Sequence, residues 1–179
     1  MQNFFVSIII FFSVILQASF LPNIFPVNFV PDITLIFIVI WTARVDFNSV
    51  LKWAVLGGLM MDLASFYPVG ISIFSFVAVA FIVNSLSKRF LVPHLGWKFA
   101  VLVMIVFLAT IINQLITVFL VKIFAEGDVR ESVYSIFYSR LLWKPFYNLV
   151  MFAIIYWPIR RLEKVFSFQN QRIIIKRHA

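Results

Sequence analysis

The chain has no cysteine and only two histidines, His94 and His178, both in basic, loop-like stretches. The first absence excludes a disulfide framework, thiolate metal sites and a cysteine nucleophile. The second leaves a histidine-rich metal site or a catalytic pair little to draw on. Charge is also scarce: 12% of the residues are Asp, Glu, Lys or Arg, against about 25% in soluble domains. No P-loop, HExxH or GxSxG sequence is present, and no acid–base pair sits at a useful spacing. The chain therefore carries no enzyme signature, and no cofactor is called for. Low-complexity tracts and linkers are missing as well, and the one sizeable loop, 125–140, is too short to fold alone.

What is abundant is hydrocarbon. Of the 179 residues, 63% are hydrophobic, and the mean hydropathy is +1.04. A water-soluble chain of this size has too much surface to hide so many apolar side chains, so lipid is the solvent. Six runs have the length and apolarity of membrane spans: 4–21, 31–45, 49–66, 71–87, 97–124 and 141–159. The first is read as a retained span, because no Lys or Arg precedes it and residues 17–20 make a poor cleavage site. The second is short, about 22 Å at 1.5 Å per residue, and requires shielding by neighbours or local thinning of the bilayer. The expected fold is an all-α membrane bundle of about six helices over 1–164, with a basic tail at 165–179. That tail is suited to an anionic leaflet or to a cytoplasmic partner.

The net charge of +8 is read as topology rather than nucleic-acid binding, since no basic run alternates with aromatics in a soluble-looking stretch. Eleven of the fifteen Lys and Arg residues fall on one set of loops, around Arg44, Lys88 and the tail. The positive-inside rule then places both termini in the cytoplasm. Trp41, Trp53, Trp97, Trp143 and Trp157 lie near span boundaries and fit an aromatic belt.

The few polar residues inside the spans are the candidates for function. In the third span Ala54, Gly58, Asp62 and Ser65 share one helical face. Small residues there allow close approach of another helix. A carboxylate on that stripe needs a partner or water, and Asp62 has two readings, a proton or ligand site and a structural pair. Lys144, at matched depth on a face of the sixth span that also carries Arg140, is the expected partner; the alternative is that Lys144 snorkels outward. In the fifth span Thr110, Asn113, Gln114 and Thr117 follow the i, i+3, i+4, i+7 pattern of one face. They form either an interhelical polar seam or a substrate pocket. Pro31 and Asp32 suit a first helical turn, with the carboxylate complementing the helix dipole as a cap.

The stretch from Pro31 to Gly70 carries a resemblance. Pro31-Asp32 opens a span, Trp41 lies near its end and Arg44 in the turn. Gly57-Gly58-Leu59-Met60-Met61-Asp62-Leu63 follows, then Gly70. This order and spacing resembles the MreD family of rod shape-determining proteins, as do the length, the six-span pattern and the basic tail. The family pattern falls on Pro31, Asp32, Gly58, Asp62 and Gly70, with Gly57 doubling the glycine. The resemblance implies a non-enzymatic subunit of the bacterial cell-elongation machinery in the inner membrane. It implies binding to the membrane-anchored scaffold MreC and, through it, linkage of MreB filaments to peptidoglycan synthases. It also implies a bundle like the substrate-binding subunits of energy-coupling-factor vitamin transporters.

Two other function classes remain beside the scaffold. A vitamin-binding transporter subunit would carry alanines at four-residue spacing in the first span. This chain instead has Asn3, Ser7, Ser13 and Gln17 on one arc, with Ala18 alone. Ion or proton translocation rests only on Asp62 and the fifth-span amides, without a relay of ionisable groups across the bilayer. The scaffold reading expects the small-residue and amide stripes to supply the surfaces that partners touch.

Overall fold

A computed structural model describes residues 2–26, 30–45, 47–65, 68–90, 98–124 and 143–157, which are helical apart from short turns. The first helical rod, α1, is built from an α-helix, Gln2–Ile15, a π turn, Leu16–Phe20, and a last α turn, Leu21–Ile24. It is followed by α2 (Ile33–Thr42), α3 (Phe47–Ala64), α4 (Ile71–Phe90), α5 (Lys98–Phe124) and α6, residues 143–157. Among the described residues, each of the six apolar runs contains a helix. Among the described residues, three stretches are by themselves long and apolar enough to cross a membrane: Val6–Ile24, Ile71–Phe90 and Phe99–Phe124. The basic tail and the loop at 125–142, with Arg140, lie outside the described residues.

The shortest helix is the centre of the bundle. Its sequence, ITLIFIVIWT, has no polar stripe, which is the mark of a helix surrounded on all sides. Leu35, Ile36, Ile38, Val39 and Ile40 are buried, against Val50, Ala54, Phe76, Val79, Val83, Val106 and Phe152 from the helices around it. Ten residues span about 15 Å, half of a bilayer core of roughly 30 Å. The ends of α2 therefore lack the aqueous boundary that would ordinarily hydrate an orphaned helix terminus, and other helices supply the partners.

Around this core α3 and α4 form a tight antiparallel hairpin. A β-carbon added to Gly58 would stand 2.5 Å from Ile73 Cα, 2.7 Å from Ile73 N and 2.9 Å from Ser72 C. All three are backbone atoms that cannot swing away, so only glycine allows the two helices to meet there. The neighbouring Gly57 is looser, its added β-carbon meeting Ile38, Thr34 and Ile10 side chains at 3.4 to 3.5 Å. Of the doubled glycine, Gly58 is the one the packing demands. Helices α5 and α6 are also antiparallel, with Phe99 against Phe152 and Tyr156, and Phe107 against Phe146. At the opposite end of α2 from Asp32, Arg44 lies over the Tyr156 ring at 5.8 Å.

Candidate functional site

The polar side chains of the bundle collect at the end where α2 begins, and two buried aspartates organise them. Asp32 is 7% exposed and Asp62 2%. The expected pairing is corrected here: Lys144 meets Asp32, not Asp62, with Nζ 2.7 Å from Oδ2. Matched depth along two helices does not fix which neighbour lies beside which. The start of α6 packs beside the start of the central helix, and that brings Lys144 to Asp32.

Asp32 also departs from its expected role as a cap. It occupies the N-cap position of α2, but its side chain makes no capping bond. The caps come from other helices. Gln17 of α1 accepts the Thr34 N–H through Oε1 at 3.0 Å and donates from Nε2 to Asp32 Oδ1 at 2.9 Å. Asn148 of α6 accepts the Asp32 N–H at 2.7 Å and donates to Thr110 Oγ1 of α5 at 3.0 Å. The π turn in α1 contains Gln17, the one buried residue of that turn. Ser13, one turn earlier, touches Thr34 Oγ1 at 3.3 Å. One network therefore ties α1, α2, α5 and α6 around the Asp32–Lys144 ion pair. Apart from the partly exposed Lys144, these groups are buried, and an unpaired polar atom there costs about 1–3 kcal/mol.

Asp62 performs the capping that Asp32 does not. From the last turn of α3 its Oδ2 accepts the Gly70 N–H at 2.7 Å, and its Oδ1 accepts the Ser72 N–H at 2.8 Å. A carboxylate placed there complements the positive end of α4. Gly70 has φ +114°, a backbone conformation that side chains with a β-carbon rarely adopt. Gly58, Asp62 and Gly70 thus act together: glycine brings the helices into contact, the carboxylate fastens the next helix start, and the second glycine makes the turn. Among the described residues no cation pairs with Asp62.

The fifth-span residues divide between two neighbours. Thr110 faces α6 through Asn148. Asn113 accepts a hydrogen bond from Ser75 of α4, and Thr117 approaches the same hydroxyl at 3.4 Å. Gln114 is 7% exposed, and neither amide atom has a hydrogen-bond partner among the described residues. The small-residue stripe is likewise turned inward, with Ala54, Gly58 and Asp62 buried and Ser65 half-buried. It does not offer the outward surface expected of it. Asn148 and Ser75 are residues that sequence reasoning passes over, and it notes Gln17 only as part of a polar arc in the first span. The available signal is a lone polar side chain within an apolar run, and for Asn148 its place one turn from Lys144 on the same face.

This arrangement holds helices in register, and its buried carboxylates are occupied by an ammonium, an amide and backbone N–H groups. Among the described residues no group of three His, Cys, Asp or Glu side chains is placed to hold a metal ion. The family model described as rod shape-determining protein MreD matches residues 1–166. No curated protein and no solved structure matches the chain.

Proposed function

Because the chain belongs to the MreD family of rod shape-determining proteins, we propose that it is a non-enzymatic scaffold of the rod-shape complex in the bacterial inner membrane. In this reading it binds MreC laterally and through it helps couple cytoplasmic MreB filaments to the synthases that build peptidoglycan. The observation that carries the reading is the family match over 1–166. The use of the polar groups supports it. Gln17, Asp32, Asn148, Lys144 and Asp62 are all committed to partners within the chain, which suits a rigid body that presents surfaces rather than one that turns over a substrate. With Gly58 buried against α4, partner contacts fall to the outward apolar faces, such as Phe12 and Phe20 of α1 or Phe146, Val150 and Ile154 of α6.

Affinity isolation of the full chain from native membranes, with identification of the proteins retained, tests this. MreC and other elongation-complex members are the expected companions. Their absence, together with a tightly held small molecule in the purified protein, would reject the scaffold and favour the transporter-subunit reading.

A further inference from the structure

The basic end of the α3–α4 hairpin carries polar groups that have no partner among the described residues. The register of this hairpin is fixed at three places. Asp62 reaches Gly70 and Ser72, Gly58 abuts Ile73, and the Phe47 ring meets the Phe81 ring at 5.7 Å. Counting ten residues backward along α3 from Gly58 and ten forward along α4 from Ile73 brings Asn48 level with Val83, the neighbour of Asn84. Asn48 is exposed and Asn84 half-buried, and the exposed Lys52 and Lys88 lie one turn to either side of them. Helical side chains lean toward the N-terminus of their own helix. The two helices run in opposite directions, so Lys52 leans toward Asn48 while Lys88 leans back toward Asn84. The helical lean thus brings two ammonium groups and two amides toward neighbouring levels at this end of the hairpin.

None of the four has a hydrogen-bond or ion-pair partner among the described residues. The described acids, Asp32 and Asp62, are both at the other end of the bundle. Continuing toward mid-membrane the same outward faces turn apolar, with Val55 and Leu59 on α3 and Phe74 and Phe81 on α4 exposed. A cationic, donor-rich level above an apolar surface is complementary to one class of molecule, an amphiphile with an anionic oxygen-rich head. We propose that this hairpin is a binding site for an anionic phospholipid. Lys52 and Lys88 hold the phosphate, Asn48 and Asn84 donate to its oxygens, and the acyl chains lie along Val55 and Phe81. The charges supply attraction to the anionic leaflet, and ammonium–phosphate hydrogen bonds are stronger than neutral ones.

Native mass spectrometry of the full chain in detergent, with phosphatidylglycerol or phosphatidylcholine as the probe, tests the site. The unmodified protein is expected to retain phosphatidylglycerol in preference to phosphatidylcholine. The double variant Lys52→Gln/Lys88→Gln is expected to lose about tenfold or more of that retention, two lysines near an anionic head being removed. The control Lys122→Gln, an exposed lysine at the aspartate end, is expected to leave it unchanged. Equal retention of the two lipids, undiminished binding in the double variant, or an equal loss in Lys122→Gln would each overturn the proposal. Should circular dichroism show the double variant misfolded, raising the salt concentration on the unmodified protein decides the matter. The phosphatidylglycerol preference must then fall, and a salt-independent preference would refute the site.

Discussion

At the scale of single residues, the bundle contrasts one position that admits no change with another that invites it. Gly58 has backbone on the far side of its missing β-carbon, so Gly58→Ala must separate α3 from α4. Overpacking of this kind costs about 1–3 kcal/mol. Thermal unfolding in detergent should show a clear drop for Gly58→Ala and a smaller one for Gly57→Ala, where the neighbours are side-chain methyl groups at 3.4 Å. Equal drops would mean that the hairpin is not packed through Gly58. Gln114 is the reverse case. Its amide is buried without a partner among the described residues, and replacing such a group by an apolar one of similar size removes a penalty of about 1–3 kcal/mol. Gln114→Leu is expected to match or exceed the stability of the unmodified protein, and a marked loss would show that the amide is engaged after all.

At the scale of elements, the short central helix explains why its ends are fastened by side chains from elsewhere. A ten-residue α2 buried on all sides leaves its first N–H groups inside the protein, and Gln17 and Asn148 satisfy them from α1 and α6. The ion pair beside them is held by the same network. Breaking a buried pair by removing one partner costs about 3–5 kcal/mol, because the other charge is left uncompensated. Lys144→Met alone should therefore destabilise strongly, whereas Asp32→Asn/Lys144→Met should recover a large part of the loss. The same cycle between Asp62 and Lys144 should show no coupling beyond about 0.5 kcal/mol, as expected for groups without shared partners. Strong coupling there would contradict the observed pairing. Removal of Asp62 acts on a different element: Asp62→Ala withdraws both acceptors from the start of α4, at a cost of about 1–2 kcal/mol. The loss should appear as increased proteolysis or hydrogen exchange at residues 68–74.

At the scale of the whole molecule, the charge pattern predicts an orientation. Reporter fusions at the two ends of the chain should both report a cytoplasmic location, and opposite locations would exclude the six-span topology. The all-helical class and the membership of a membrane-embedded family are legible because apolar run length and the order Pro31-Asp32, Gly58, Asp62, Gly70 are properties of the chain in one dimension. Asp62 and the doubled glycine stand out in the sequence for the same reason. What the sequence leaves open is which neighbour each polar group meets. Depth along a helix can be counted from residue numbers, but the lateral order of helices cannot, so depth points Lys144 to Asp62 when its partner is Asp32. A small-residue stripe likewise looks the same whether another chain covers it or α4 does. Composition alone determined that lipid is the solvent and that buried polar groups must find partners; only the tertiary packing decided which ones, because hydrogen bonds and ion pairs depend on distances between helices that are far apart in the chain.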